Sequence, residues 1–327
     1  MFKHNGQNFK KTALVAVMSA ALIATAPVAN AATVLTLEGG LVGMQHLLRF
    51  TPLQLRGDLC RSPNSCQGVA YFAFSAQPFT DRGAANVEKA VDALPADEPV
   101  VLFGHSQGAQ VIYSDLRRWA ADPGSAPDPS TVSWVSIGNP ENRYGGKRPN
   151  TDEAANPWLP ADTAYHGTEV IRQYDGWADW PDDSTNLIAV ANALVGMFTT
   201  HTAYWNVDLN DPRNVRYTPD LPGGGPGNVT YVWVPNDTLP LVAWAGPFAP
   251  MLDNALRPLV EKGYSRPVDI PDPTPPAAVS TRRPAPSARA AATRATAAAK
   301  PAARSASARK RSPAKAAQSG SHADHRR

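Results

Sequence analysis

The chain has 327 residues, of which 43% are hydrophobic and 18% charged, and its formal net charge is +3. This length suits one large domain or two small ones, and the apolar content is sufficient for a sizeable core, which excludes a chain that is disordered throughout. Residues 271–327 hold 12 Lys and Arg against two acidic residues, a net of +10, so the remaining residues carry −7. The near-neutral total therefore predicts an acidic domain followed by a basic tail.

The first 31 residues match a secretory signal peptide. Lys3, Lys10 and Lys11 form a positive start, residues 13–26 are almost entirely apolar, and Ala29-Asn30-Ala31 fits a cleavage site. The run is shorter than the roughly 20 apolar residues of a transmembrane helix, although an uncleaved anchor is the alternative. No later segment of the sequence is long and apolar enough to span a bilayer. We therefore expect a secreted or cell-envelope-associated protein.

The region from 32 to 270 alternates between predicted strands and helices. Strands are predicted at 34–37, 69–74, 100–103, 132–137 and 170–174, and helices at 84–94, 109–121 and 186–197. Strands that alternate with helices predict an α/β domain, in which helices cover both faces of a mainly parallel sheet.

Two cysteines, Cys60 and Cys66, enclose the turn-rich sequence Arg-Ser-Pro-Asn-Ser. The spacing favours a small disulfide-closed loop, as suits an oxidising compartment, and two free thiols are the alternative. No histidine or second cysteine pair accompanies them, so the pair does not predict a zinc site. The sequence also contains no nucleotide-binding motif, and we expect no metal and no cofactor.

The strongest motif is Gly104-His105-Ser106-Gln107-Gly108, a G-x-S-x-G sequence between a buried strand and a helix. This context predicts a nucleophile elbow with Ser106 as the nucleophile, whereas the pentapeptide alone is also compatible with a structural turn. Gly104 and Gly108 lack the Cβ atoms that would collide with the neighbouring strand and helix. The backbone N–H of Gln107 is expected to stabilise an oxyanion at the positive end of the helix.

The general base and its acid are sought after Ser106, because the order in α/β-hydrolases is Ser, Asp or Glu, His. Only His166 and His201 follow within the predicted domain, and His166 precedes every suitable acid, so His201 is the expected base. Asp179 is preferred to Asp175 as the acid, because acids of this fold often follow their strand by a few residues. In such a triad the acid orients the imidazole, which accepts the serine proton.

Two further segments are candidates for the substrate site. The sequence Glu38-Gly39-Gly40-Leu41 follows the first strand, and Leu41 is the expected second oxyanion donor, with a plain glycine turn as the alternative. Residues 231–252 are apolar and broken by prolines, which is typical of a lid or an acyl-chain wall, or of core packing.

The tail from 271 to 327 is rich in Pro, Ala, Ser, Arg and Lys and is predicted to be disordered. Its positive charge suits an anionic envelope polymer, and a solvated tail without a specific partner is the alternative. It lacks interleaved aromatic residues on which bases would stack, so no specific nucleic acid is expected.

Together these motifs resemble the PE-PPE domain family of mycobacterial serine hydrolases, itself similar to cutinases. The resemblance covers residues 33–267 and rests on Gly39-Gly40, Gly104-His-Ser-Gln-Gly108, Ile137-Gly-Asn-Pro140, Tyr174-Asp-Gly-Trp-Ala-Asp-Trp-Pro181, His201-Thr-Ala-Tyr204, Leu239-Pro-Leu241 and Lys262-Gly-Tyr264. It implies an α/β-hydrolase fold, action on acyl esters in or near a lipid-rich envelope, and a triad of Ser106, His201 and one of Asp175 and Asp179. The sequence differs from many members of the family in two respects: it has a predicted signal peptide in place of a PE or PPE module, and it carries the basic tail.

Three functions are consistent with these observations. The leading hypothesis is a carboxylic-ester hydrolase that works through an acyl-enzyme and takes an acyl-ester or lipid substrate. Acyl transfer to a sugar or lipid hydroxyl uses the same triad and is the closest alternative. The third is a non-catalytic envelope-binding protein.

Overall fold

The computed structural model describes residues 31–40, 49–74, 76–147 and 162–271. The chain divides into two units, Met1–Thr274 and Pro275–Arg327, and all described residues belong to the first. The predicted signal peptide up to residue 30, Leu41, and the predicted tail beyond residue 271 lie outside the described residues, so they stay predictions.

The described residues form one seven-stranded sheet. Its strands are β1 (Thr33–Leu37), β2 (Ser65–Gly68), β3 (Val100–His105), β4 (Val132–Ile137), β5 (Gly167–Arg172), β6 (Val215–Tyr217) and β7 (Val229–Val234). Their spatial order is β2-β1-β3-β4-β5-β7-β6. All neighbouring strands are parallel except β6, which runs antiparallel to β7 at the edge. This mainly parallel sheet confirms the predicted α/β-hydrolase fold.

Four α-helices accompany the sheet: α1 (Gln77–Asp92), α2 (Gln107–Ala121), α3 (Leu187–Thr199) and α4 (Ala249–Glu261). Short 3₁₀ helices span Thr51–Leu53, Leu55–Cys60, Tyr204–Asn206 and Pro240–Phe248. Both faces of the sheet are covered, because successive residues of β1 enter different clusters. Leu35 packs with Val111 and Leu116 of α2, whereas Val34 packs with Leu55 and Tyr204.

The second strand does not lie where the sequence predicts it. On the side of β1 away from β3, the residues that pair with it are Ser65–Gly68, in register up to Thr36 opposite Gly68. Because β1 ends at Leu37, residues 69–74 have almost no strand left beside them: the Val69 N–H still donates to the Thr36 carbonyl, but the strand ends at Gly68. The predicted strand at 69–74 is therefore wrong.

One helix start and one strand differ from expectation for local reasons. Helix α1 begins at Gln77, before the predicted residue 84, with Pro78 in its first turn, where a missing N–H costs nothing. Strand β7 takes Tyr231 and Trp233 into the core, so the first part of the proline-broken segment is a central strand.

Cys60 and Cys66 form the predicted disulfide, with their Cα atoms 5.5 Å apart. The bond ties the end of a 3₁₀ helix to β2. Within the part of the chain that the structure describes, no helix combines the length and the apolar character needed to cross a membrane.

Candidate active site

The site lies at the carboxyl edge of the sheet, where parallel strands end together. Ser106 follows β3 directly, with φ 54° and ψ −112°, a conformation that residues with a Cβ rarely adopt. A Cβ on Gly104 would lie 2.5 Å from the carbonyl carbon of Gly108, and one on Gly108 would lie 2.2 Å from the carbonyl oxygen of Leu37. The sharp turn therefore requires both glycines, as a nucleophile elbow does.

His201 approaches Ser106 from the loop after α3. Its Nε2 is 2.9 Å from the Ser106 Oγ, a distance suited to proton transfer. Helix α3 begins with the Asn186 side chain accepting a hydrogen bond from the Ala189 N–H. It packs closely on the loop after β5, because a Cβ on Gly196 would lie 1.9 Å from the carbonyl oxygen of Tyr174. The His201 N–H donates to the Gly196 carbonyl, which anchors the loop to the end of the helix.

The acid beside His201 is Asp175. The Nδ1 of His201 is 2.9 Å from both carboxylate oxygens of Asp175, which is buried. One oxygen also accepts from the N–H of Trp177, at 2.9 Å. Burial opposes ionisation of Asp175, but attraction to His201 and the donated hydrogen bonds outweigh it, so the pKa of Asp175 lies below its usual value.

The preference for Asp179 as the partner of His201 is wrong. Asp179 instead forms a buried ion pair with Arg266, with an Nη2 to Oδ2 distance of 2.6 Å and an Nε to Oδ1 distance of 2.9 Å. It also accepts a hydrogen bond from the Tyr174 N–H. Strand β5 ends at Arg172, two residues before its predicted end, so Asp175 already lies three residues beyond the strand. The chain then turns and directs Asp179 away from His201.

Tyr204 and Gly138 complete the site, although no local sequence pattern predicts a role for either residue. The buried Tyr204 hydroxyl donates to Asp175 Oδ2 at 2.8 Å and accepts from the Arg172 N–H at 3.0 Å. Gly138 has a φ of 60°, and a Cβ there would lie 3.1 Å from the His201 ring. Both residues occur in the motifs that carry the family resemblance, which was the only signal available for them.

His105 holds the backbone of the histidine loop. Its Nε2 is 3.0 Å from the carbonyl oxygen of His201, and because a carbonyl only accepts, Nε2 carries the proton. Removal from water, together with the nearby His201 imidazole, lowers the pKa of His105 to about 3. His105 is therefore a neutral donor that restrains the main chain of His201.

The candidate oxyanion donors are only partly described. The N–H of Gln107 opens α2, a position without an intrahelical acceptor, and its side chain is anchored by a 2.6 Å hydrogen bond to the Phe74 carbonyl. Leu41 lies outside the described residues. Gly39 lies against the elbow, since a Cβ there would be 3.3 Å from that of Ser106. The Glu38 carboxylate accepts hydrogen bonds from the N–H groups of Phe50 and Thr51, which joins the described ends of this segment.

A cavity of about 520 Å³ opens at Ser106. Its walls are mainly apolar and include the side chains of Phe50, Leu53 and Trp205. None of the residues 231–252 lines this cavity. The interpretation of that segment as an acyl-chain wall is therefore wrong for this cavity. Among the residues with described positions, no group of three or more His, Cys, Asp or Glu side chains is arranged to hold a metal ion.

Comparison with known proteins identifies a domain family and several relatives. The PE-PPE domain profile matches residues 61–265. Over 212 residues the chain is 35% identical to Esterase PE16 of Mycobacterium tuberculosis. The aligned region covers 58% of this chain and 39% of that protein. The chain is 29% identical over 190 residues to Diacyltrehalose acyltransferase Chp2 of the same species, covering 52% of each chain. The chain thus spans about half the length of these relatives, or less.

Among solved structures, a cutinase-like protein from Cryptococcus sp. is similar over 53% of this chain and 92% of its own, with 16% identity and a TM-score of 0.33. The domain profile covers well over half of the chain and includes Ser106, Asp175 and His201. The chain therefore belongs to the PE-PPE domain family.

Proposed function

We propose that this protein is a carboxylic-ester hydrolase in which Ser106 is the nucleophile, His201 the general base and Asp175 the acid. The observation that carries the proposal is the pair of 2.9 Å contacts that His201 makes, one from Nε2 to the Ser106 hydroxyl and one from Nδ1 to the Asp175 carboxylate. An imidazole held between an alcohol and a buried carboxylate is arranged to move a proton from the alcohol.

In the first half of the reaction, the Ser106 Oγ attacks the carbonyl carbon of the ester while His201 Nε2 takes its proton. The tetrahedral intermediate carries its negative charge on the former carbonyl oxygen, which the Gln107 N–H is positioned to stabilise. The intermediate collapses, the bond to the alkoxy group breaks, and the proton on His201 passes to the departing alcohol. Asp175 stays ionised and stabilises the imidazolium throughout.

In the second half, a water molecule gives its proton to His201 and attacks the acyl-enzyme. The second tetrahedral intermediate releases the carboxylic acid as Ser106 recovers its proton. The apolar walls of the cavity, formed in part by Phe50, Leu53 and Trp205, favour an acyl chain over a charged group at the reacting carbonyl. The similarity to Esterase PE16 supports this substrate class.

Acyl transfer is the second candidate function. Two of the relatives are named acyltransferases, Diacyltrehalose acyltransferase Chp2 and SL1278 acyltransferase Chp1 of Mycobacterium tuberculosis. The same acyl-enzyme would serve, with the hydroxyl of a sugar or lipid replacing water in the second half. A non-catalytic envelope-binding protein is the weakest of the three readings, because it gives no reason for the contacts between Ser106, His201 and Asp175.

We further propose that the protein is exported and works in or near the cell envelope. The signal-peptide pattern of residues 1–31 and the Cys60–Cys66 disulfide support export. The basic tail would then contact an anionic polymer of the envelope.

The test of the nucleophile is labelling by a fluorophosphonate, which reacts with activated serines. We expect labelling of the wild-type protein and none of Ser106→Ala. A Ser130→Ala variant, altered on an exposed loop far from His201, is the matched control and should label like wild type. Labelling that survives in Ser106→Ala would contradict the assignment.

A second experiment separates hydrolysis from transfer. The purified protein is given p-nitrophenyl esters of increasing chain length, with and without an acceptor alcohol, and both products are quantified. Free acid as the dominant product in both conditions supports the hydrolase. A new ester that accumulates at the expense of free acid would make the transferase the principal function.

A further inference from the structure

Exposed large apolar side chains are unevenly distributed over the described surface. Twelve such residues are exposed, and none of them belongs to α1 or α2. Those two helices instead present charged residues to water, such as Asp81, Arg82 and Arg118. Two of the twelve, Phe72 and Phe74, pack against Phe79 of α1. A soluble protein exposes single apolar residues everywhere, so the informative ones are those that neighbour one another around the Ser106 cavity and on α3.

Three of the exposed apolar residues form the mouth of the Ser106 cavity. Phe50, Leu53 and Trp205 line the cavity and are also 41%, 62% and 59% exposed. Each of these side chains therefore faces both the cavity and the surrounding solvent. An acyl chain that leaves the cavity would meet further apolar surface rather than water.

The exposed apolar surface continues from the mouth onto α3. Leu194 and Phe198 lie four residues apart, on one side of the helix, and both are exposed, Phe198 to 78%. The carbonyl of Phe198 accepts a hydrogen bond from the hydroxyl of Thr202, a residue that lines the cavity. The helix end is thus joined directly to the cavity wall.

The 3₁₀ helix Pro240–Phe248 extends this surface beyond α3. Its Leu241 N–H donates to the Asn192 side chain of α3 at 3.0 Å, which fixes the two elements together. Trp244 is 82% exposed, yet its indole N–H donates to the Leu241 carbonyl at 2.7 Å. The indole is therefore held in a defined position while its apolar rings face outward.

Charge decides which partner fits. Residues 187–207 and 238–252, which carry Leu194, Phe198, Trp205 and Trp244, contain no Asp, Glu, Lys or Arg. A nucleic acid or an anionic lipid headgroup would find no cation in these segments, and an acidic or basic protein would find no opposite charge. Tryptophan and phenylalanine are the side chains that settle at the boundary between lipid and water.

We propose that Phe50, Leu53, Leu194, Phe198, Trp205 and Trp244, here called the apolar face, dock on an uncharged lipid surface with the Ser106 cavity opening against it. The inference rests on the proposed function in one respect: an ester in that surface passes into the cavity without crossing water. Docking depends on apolar burial, so it is insensitive to salt and needs no anionic lipid.

The test uses the full chain carrying Ser106→Ala, so that no lipid is consumed, with vesicles of phosphatidylcholine brominated in the acyl chains. Bromine quenches tryptophan fluorescence on contact, and residues 1–31 contain no tryptophan, so the signal cannot come from that segment. We expect quenching at both low and high salt, reduced when Trp244→Phe is added. Adding Phe198→Gln and Trp244→Gln together should weaken vesicle binding about tenfold or more.

An Ala121→Gln change at the exposed end of α2 is the matched control and should leave quenching unchanged. Quenching that Trp244→Phe does not reduce, or that requires anionic lipid, would overturn the proposal. A dimer seen by sedimentation that Phe198→Gln with Trp244→Gln dissociates, together with no quenching, would assign the face to a second copy instead.

Failure of docking and failure of the proposed function are separable. Phe198→Gln with Trp244→Gln in the Ser106 protein alters no residue that lines the cavity, so hydrolysis of a short, soluble ester should stay within about twofold of wild type. Loss of hydrolysis of esters embedded in vesicles, with soluble-ester activity kept, supports docking. A protein that binds vesicles but hydrolyses neither ester would refute the function and leave docking standing.

Discussion

The hydroxyl of Tyr204 offers a sharp test of how the acid is held. It donates a 2.8 Å hydrogen bond to Asp175 Oδ2 and accepts from the Arg172 N–H, and the whole side chain is buried. Tyr204→Phe keeps the ring and removes only this bridge. A hydrogen bond to a buried charged group contributes about 1.5–3 kcal/mol, and the N–H left without an acceptor adds a cost of about 1–3 kcal/mol.

We expect part of that loss to reach catalysis. Asp175 must keep its orientation while the His201 ring becomes positively charged, and without the Tyr204 hydroxyl its remaining partners among the described residues are the loop N–H groups and His201 itself. A loss of about 1.4 kcal/mol in the transition state corresponds to a tenfold fall in kcat. We therefore predict kcat about tenfold lower, KM little changed, and a free energy of unfolding lower by at least about 2.5 kcal/mol.

The assay is steady-state hydrolysis of a soluble p-nitrophenyl ester, with urea unfolding in parallel. Tyr165→Phe is the matched control, because its hydroxyl donates to the Pro127 carbonyl far from Ser106, and its removal should affect stability alone. If Tyr204→Phe unfolds more easily but retains the wild-type kcat, the hydroxyl has a structural role only, and the idea that it positions Asp175 is refuted.

Three further changes have outcomes that follow from the structure. Gly138→Ala places a Cβ 3.1 Å from the His201 ring at a φ of 60°. We expect kcat to fall at least tenfold and the free energy of unfolding to fall by about 1–2 kcal/mol. An unchanged kcat would show that the ring tolerates displacement. Arg266→Met leaves the buried Asp179 without its ion-pair partner and should lower the free energy of unfolding by about 3–5 kcal/mol. Arg213→Met is the control: it breaks exposed ion pairs and should lower the free energy of unfolding by less than about 1 kcal/mol. Equal losses of unfolding free energy in the two variants, measured by urea unfolding, would contradict the burial argument. Burial raises the pKa of Glu169 from 4.5 to about 7. Folding thus favours the protonated form of Glu169. Its contribution to the free energy of unfolding is complete below pH 4.5, and about 3 kcal/mol of it is lost as the pH rises to 7. Unfolding curves of Glu169→Gln should lack this fall, and an identical pH dependence in both proteins would refute it.

Sequence reasoning works best where function depends on a contiguous segment. The elbow at Ser106 could be predicted because the strand, the turn glycines and the helix follow one another directly in the chain. His201 could be found by elimination, since few histidines follow the serine. Leu41 stays a prediction, because it lies outside the described residues.

The choice between Asp175 and Asp179 could not be made from the sequence because it depends on distant residues. Arg266, which pairs with Asp179, lies 87 residues further along the chain. Two acids four residues apart offer the same chemistry until the path of the loop is known. The path depends on where β5 ends and on how closely α3 packs, and neither is evident in the local pattern.

The central claim is that Ser106, His201 and Asp175 act as one catalytic unit, and the most direct measurement compares Asp175→Asn with Asp179→Asn. The rate is kcat for a soluble ester, at a temperature where circular dichroism shows both variants folded. The structure predicts a fall of about 10³–10⁴-fold for Asp175→Asn and a fall of no more than about tenfold for Asp179→Asn, whose carboxylate pairs with Arg266 and accepts from the Tyr174 N–H rather than holding His201. The reverse order, or equal rates, would contradict the assignment.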